Sequence, residues 1–309
     1  MLKDRLGFGA FIILMLVGLI VLDDYLSSST GGRSVLGRPL IPLDGLLLTT
    51  FVAVLAVLAC DELYRLHRLA GSEPLLRWPR LAVAGFVFLP FAVRHGLLPS
   101  AGTTVAADYA SAWAWWIITT FGAAVFVVAR RRVDGAMRDL AATWFIVAYV
   151  GVLASFAVRI RVWGPPHSAW LVLYFLAVVK CCDIGAYFTG LAVGRHKLIP
   201  WLSPAKTIEG LLGGMAASML AAWGIARLVD GSAGRESELA AIFPQGPNAL
   251  IFGLVMALAG QAGDLLESLF KRNAGCKDSA ALVPAFGGIL DVIDSPLVAA
   301  PLAYWMLIE

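Results

Sequence analysis

The hydrophobic residues of this chain fall into nine long runs, at about 6–22, 43–60, 81–99, 109–129, 140–158, 168–193, 210–229, 248–270 and 287–308. A helix needs about 20 apolar residues to cross the hydrocarbon core of a bilayer, and most of these runs are of that length. In lipid the backbone groups of each run must find partners within it, so each is expected to be a helix. The first run resembles a signal peptide in position. No small-residue cleavage site follows Val21, however, and the next residues are Asp23-Asp24-Tyr25, so it reads as the first span. No fixed-period repeat and no Gly/Ser-rich linker divides the chain. The expected fold class is therefore all-α: a polytopic integral membrane helix bundle with about nine transmembrane helices.

Composition agrees with this pattern. Of the 309 residues, 60% are hydrophobic and 15% charged, against roughly 25% charged in an ordinary soluble domain. Mean hydropathy is +0.81. These values exclude a soluble globular domain, a disordered chain and a coiled coil. A net charge of +3 is too small to argue for nucleic acid, and the lipid bilayer is the expected partner. Of the four cysteines none forms a CxxC pair, and Cys181-Cys182 lies in an apolar run where a buried, inert thiol is expected.

The basic residues set the orientation. With the N-terminus in the cytoplasm, 16 of the 24 Lys and Arg fall in inner segments and 6 in outer ones, while Lys180 and Arg227 lie within spans. That asymmetry supports both the span count and a cytoplasmic N-terminus. Trp113, Trp115 and Trp116 open the fourth span, and Tyr304 and Trp305 close the ninth, as interfacial anchors do.

Ionisable groups at membrane depth carry more information, because each costs about 2.5–3.5 kcal/mol to insert. The sixth span holds Lys180 and Asp183, three residues apart and able to pair on one face. In the eighth, Gln261, Asp264 and Ser268 line one stripe with Lys271 on the same side, and Glu267 lies on the neighbouring flank. The ninth has Asp291 and Asp294, again three apart. All three stretches lie toward the cytoplasmic ends of their spans and are expected to meet in one wet pocket. Carboxylates so close raise one another's pKa unless a counter-charge is present. Lys180 neutralises one, and a divalent cation with oxygen ligands, Mg²⁺ above all, suits the rest. A set of polar helix clamps or an ion relay is the competing reading.

Two inner loops favour a phosphate substrate. Residues 194–214, GRHKLIPWLSPAKTIEGLLGG, combine Arg195, Lys197 and Lys206 with Ser203 and Thr207 just before a predicted helix, a place suited to an anion. Residues 271–288 add Lys271, Arg272 and Lys277 with Asp278 directly after the acid-bearing eighth span. Cations beside a carboxylate–metal cluster are what a polyphosphate requires, and a channel has less use for them. Neither a Walker A sequence nor GxGxxG is present.

The stretch SLFKRNAGCKDSAALVPAFGGILDVID, residues 268–294, resembles the signature of the phosphatidate cytidylyltransferases, or CDP-diacylglycerol synthases: S-x-x-K-R-x4-K-D-S followed by P-G-H-G-G-x-x-D-R-x-D. QAGDLLESLFKR and DIGAYFTGLAVGRHKLIPWLSPAKTIEGLLGG resemble the family's upstream motif regions. The likeness covers about residues 180–300. It divides the chain into residues 1–165, about five spans without a motif, and residues 166–309, the catalytic region. Three positions depart from the pattern: Ala285 stands where the family has Gly, Phe286 where it has His, and Val292 where it has Arg, so that a His and an Arg are absent. The carboxylates and the Lys/Arg set survive, which favours a working enzyme.

The resemblance implies transfer of a cytidylyl group from CTP to phosphatidate, giving CDP-diacylglycerol and pyrophosphate, with Mg²⁺ as cofactor and a monovalent ion such as K⁺ a candidate for a second position. It implies Asp264, Asp291 and Asp294 as cation ligands, with Asp183 a further candidate partnered by Lys180. Ser203, Lys206, Thr207 and Glu209 are expected to handle the nucleotide, and Lys271, Arg272, Lys277 and Asp278 to bind phosphates or orient the cluster. A bacterial inner membrane with the site facing the cytoplasm is the expected location, and a homodimer is one candidate assembly. A cytidylyltransferase or kinase acting on another lipid phosphate or polyprenol, a transporter and an inactive paralogue remain as alternatives.

Overall fold

The computed structural model describes residues 2–29, 34–35, 38–39, 44–98, 102–233, 238–277, 279 and 287–309. Among the described residues the chain is overwhelmingly helical. It divides into two compact units, residues 1–163 with 273–292, and residues 164–272 with 293–309.

The first unit begins with α1 (Leu2–Ser29) and a two-residue antiparallel bridge, β1 (Ser34–Val35) to β2 (Arg38–Pro39). Helices α2 (Leu46–Leu69), α3 (Arg77–Arg94) and α4 (Val105–Ala129) follow. Then comes α5 (Ala136–Ile146), which passes through a π-helical segment (Val147–Val152) into α6 (Leu153–Trp163) without a break. Local sequence fixes the ends. Gly45 takes φ +78° at the start of α2, and Gly71, at φ +86°, stops it, with Ser72 N–H returning to the His67 carbonyl at 2.9 Å. Thr104 caps α4 by accepting a hydrogen bond from Ala107 N–H at 3.2 Å. The π segment brings Gly151 against α3, where a Cβ would lie 3.0 Å from Val83 Cα.

Arginine–aspartate pairs hold this unit together where lipid cannot. Arg159 donates to both carboxylate oxygens of Asp108, at 2.7 and 3.2 Å, and to the Ser155 hydroxyl at 2.6 Å. Trp163 Nε1 donates to the same carboxylate at 3.0 Å. Arg161 bridges Asp23 and Asp44, at 2.7 and 2.6 Å. Paired and hydrogen-bonded, such charges are tolerated in an apolar interior.

The second unit contains α7 (Ala169–Val193), a hairpin of β3 (Lys197–Ile199) and β4 (Ser203–Thr207), and α8 (Ile208–Ala233). The short α9 (Glu238–Ala241), α10 (Pro247–Asn273) and α11 (Leu290–Leu307) complete the helices, with the last residue of α10 and the first turn of α11 grouping with the first unit. Here packing is by small residues, as suits helices in lipid. The Ser218 hydroxyl of α8 lies within hydrogen-bond distance of the Val178 carbonyl on α7, 3.1 Å, and the Gly253 carbonyl on α10, 2.8 Å. Tyr174 stacks on Phe252 with ring centroids 5.1 Å apart.

Seven helices among the described residues are long and apolar enough to cross a membrane; α5, the π segment and α6 count as one of them. The sequence pattern leads to about nine. The other two expected runs coincide with α1 and with α3, which has only 18 residues and arginine near both ends. The chain is an integral membrane protein. The loop expected at 194–214 is not irregular: residues 197–207 form the hairpin, and α8 follows at once.

Candidate active site

Three carboxylates of the second unit converge. Asp264 and Glu267 on α10 and Asp294 on α11 each offer an oxygen, and these oxygens all lie within 4.8 Å of one another. Glu267 and Asp294 are 1% and 5% exposed, whereas the Asp264 side chain keeps 34% of its surface. Gly263 allows the approach. A Cβ there would collide with the Asp294 carbonyl oxygen and come within 3.1 Å of Ser295 Cα. The absence of a side chain at Gly263 thus lets α10 and α11 meet at the level of the acids.

Cations surround the trio. Lys206 on β4 reaches Asp264 Oδ2 at 2.8 Å, and Lys271, one turn beyond Glu267, reaches its Oε2 at 2.6 Å. Lys180 pairs with Asp183 at 3.2 Å on α7, as the spacing predicts. The hairpin is thereby tied to α10 at two points, since Arg272 Nε also donates to the Leu202 carbonyl at its turn, 3.3 Å. At the hairpin base the Thr207 hydroxyl accepts from Gly210 N–H at 3.1 Å and caps α8. Glu209 accepts from the His196 ring at 2.5 Å and from the Arg195 and His196 amides. Ser203 is half-buried on β4.

A cleft of about 380 Å³ opens beside Asp264, Lys206 and Asp183. Asp183, Lys206, Gln261 and Asp264 give its polar wall, and Tyr187 and Leu191 its apolar one. On one wall Lys206 can meet a phosphate oxygen beside acids able to hold a cation, and the other wall can receive hydrocarbon. A larger cleft of about 540 Å³ in the first unit is walled mainly by aromatic and aliphatic side chains. Its charged member, Arg159, is committed to Asp108.

The remaining expected residues belong to the first unit or fall outside the described residues. Asp291 belongs to the first unit, where its Oδ2 accepts from Gly288 N–H at 2.7 Å and lies 3.0 Å from the Ser279 hydroxyl oxygen. Lys277 is exposed in the same unit. Asp278 and Phe286 lie outside the described residues.

Glu267 is absent from the ligand set expected from sequence. Its signal was the three-residue spacing from Asp264: the two directions differ by roughly 60° on a helix, and a glutamate is long enough to cover that angle. Also unexpected is a pair from α2. Glu62, 3% exposed, accepts from Ile289 and Leu290 N–H at 2.7 and 2.9 Å and from the Ser279 hydroxyl at 2.8 Å. Arg65 donates to the Ser279 carbonyl.

Comparison with known proteins gives concordant results. The model of the cytidylyltransferase family matches residues 34–308. A phosphatidate cytidylyltransferase of Staphylococcus aureus (strain COL) is 32% identical over 279 residues, 88% of this chain and 94% of that protein. A Staphylococcus saprophyticus protein of the same name is 36% identical over 171 residues, 55% of this chain and 60% of its own. Another, from Haemophilus influenzae, is 36% identical over 137 residues, 44% of this chain and 45% of its own.

Proposed function

The chain belongs to the cytidylyltransferase family, and from that membership and the geometry of the second unit we infer that it is a phosphatidate cytidylyltransferase. A phosphate oxygen of phosphatidate attacks the α-phosphorus of CTP. The bond from that phosphorus to the oxygen bridging to the β-phosphate breaks, and pyrophosphate leaves. The lipid phosphate is already an anionic nucleophile, so the protein needs no strong base. Its task is to bring two polyanions together and to neutralise charge, the main terms in transfers of this kind.

The observation that carries this reading is the trio Asp264, Glu267 and Asp294, with mutual oxygen distances within 4.8 Å beside Lys206 and a cleft. Three hard oxygen donors on rigid helices suit Mg²⁺, which keeps its other positions for water and phosphate oxygens. Bound there, Mg²⁺ would neutralise the phosphates and the charge developing on the pyrophosphate. Asp183, in the same cleft, is the candidate ligand for a second, monovalent ion such as K⁺. Lys206 takes a phosphate oxygen on entering the complex. Lys271 and Arg272 extend the positive rim at the end of α10. Thr207 and Glu209 act through the hairpin they stabilise, which holds Ser203 and Lys206 over the site. The lipid enters sideways past Tyr187 and Leu191, and its chains remain in the bilayer.

The excess of Lys and Arg in alternate loops supports a cytoplasmic N-terminus and a site supplied with CTP from the cytoplasm. Bacterial relatives support an inner-membrane location. The test is formation of CDP-diacylglycerol from labelled CTP and phosphatidate by purified protein in detergent. Product is expected with Mg²⁺, none with chelator, and none from Asp264→Asn. Product formed at the wild-type rate by Asp264→Asn would remove the trio from the reaction. A wild-type protein that turns over no CTP would leave an inactive paralogue.

A further inference from the structure

Residues 1–163 contain no motif, yet one helix of that stretch grips the signature segment. We propose that Glu62 of α2 is a positioning residue for transfer: its carboxylate holds residues 279 and 288–291 in working conformation, with Arg65 as its auxiliary. This rests on the cytidylyltransferase reading of the site.

The geometry is specific. Both oxygens of Glu62 are used: Oε1 accepts from Ile289 N–H, and Oε2 accepts from Leu290 N–H and the Ser279 hydroxyl. The two amides open α11 and have no partner within that helix, so an external carboxylate satisfies them and complements the helix dipole. The Ser279 hydroxyl lies between two acids, 2.8 Å from Glu62 and 3.0 Å from Asp291. Asp291 in turn accepts from Gly288 N–H. Arg65, one turn after Glu62 on α2, fixes the other side of Ser279 through its carbonyl. Ser279, Ile289 and Leu290 are thus held by side chains more than 200 positions away in sequence. Gly288 has no Cβ because one would strike both Glu62 and Ser279.

A helix that merely spans the membrane has no need of a buried acid with both oxygens saturated by signature-segment donors. Lys277 and Asp291 flank the pinned points, and phosphate or ion binding by these two side chains requires them to be placed in advance. The arrangement matches that of residues which orient ligands from behind, where substitution costs about 10- to 100-fold in activity or metal affinity.

The experiment compares wild type, Glu62→Gln, Glu62→Asp, Ser279→Ala and, as control, Thr143→Ala, which removes a hydrogen bond to Leu75 N–H in the same unit. Steady-state transfer is measured at saturating CTP and over a Mg²⁺ titration. Amide hydrogen exchange is followed at residues 288–291. Glu62→Gln places a donor amide against donors. It is expected to lower kcat at least about tenfold and to speed exchange at Ile289 and Leu290 roughly tenfold, the size expected for loss of a charge-assisted hydrogen bond. Glu62→Asp keeps the charge and should recover part of both. Ser279→Ala loses one hydroxyl and should shift both in the same direction even if Glu62→Gln does not fold. Thr143→Ala should change neither kcat nor that exchange. Wild-type kcat in folded Glu62→Gln and Ser279→Ala, or losses that only follow the folded fraction as in the control, would overturn the proposal. Absence of transfer by the wild type would instead overturn the functional reading, while exchange at residues 288–291 would still report on the clamp.

Discussion

Gly263 is the position where a single methyl group tests the site most sharply. In Gly263→Ala the new Cβ would strike the Asp294 carbonyl oxygen and lie 3.0 Å from Asp294 C and 3.1 Å from Ser295 Cα. Ordinary carbon contacts need about 3.5 Å or more, so α10 and α11 must separate by roughly 0.4 Å on the carbon contacts alone. Ligand distances at a metal site tolerate about 0.2 Å. The move therefore exceeds what Asp264, Glu267 and Asp294 can absorb while still sharing an ion. Overpacking of this kind costs about 1–3 kcal/mol of stability, small enough for the protein to fold. A displacement of order 1 Å at a reacting centre costs about 100-fold in rate, so a loss of roughly 10- to 100-fold is expected, with a higher Mg²⁺ requirement. Gly260→Ala is the control one turn earlier. Its Cβ meets only side chains, Val179 Cγ1 at 3.3 Å and Ser295 Cβ at 3.5 Å, so activity should remain within a few-fold of wild type. The assay is CDP-diacylglycerol synthesis over a Mg²⁺ titration, with thermal unfolding in detergent measured alongside. Wild-type Mg²⁺ dependence in Gly263→Ala, or equal losses in the two variants, would refute the argument that this contact sets the trio.

Two further outcomes follow from ion pairs. Lys206→Met removes the amine 2.8 Å from Asp264; with a charge-assisted bond worth about 1.5–3 kcal/mol, KM for CTP should rise by about tenfold or more, and an unchanged KM would take Lys206 out of phosphate binding. Asp108→Asn leaves Arg159 buried at 3% exposure without its counter-charge. Stability measured by thermal unfolding should fall by about 3–5 kcal/mol, and an unaltered transition would show that the pair is not structurally needed.

Much of the membrane architecture was legible because lipid imposes length and apolarity on every crossing. The runs at 43–60, 109–129, 140–158, 168–193, 210–229, 248–270 and 287–308 each coincide with a spanning helix. Local spacing also showed the Lys180–Asp183 pair, and it placed Asp264 among cations. What spacing cannot show is contact between distant segments. Glu62 meets Leu290 across 228 positions, and nothing in DELYRL announces it beyond an acidic pair following an apolar run. Asp291 and Asp294 share the three-residue spacing, yet Asp291 is bound by Gly288 and Ser279 while Asp294 joins Asp264 and Glu267. The hairpin at 197–207 was hidden too, since its two prolines and basic residues suit an irregular loop as well as a tight turn.

The bond between Lys206 and Asp264 has a thermodynamic consequence. The amine a phosphate wants and the acid a divalent ion wants satisfy each other while neither ligand is present. A nucleotide arriving alone must strip Lys206 from its acid, and an ion arriving alone must strip Asp264 from its base. Arriving together, they share one rupture. With the ion on Asp264 and the phosphate on Lys206, as proposed, their affinities would be reciprocally enhanced by a common factor, and the resting protein would discriminate against stray cations and free phosphates and respond to a magnesium–nucleotide complex as a single ligand.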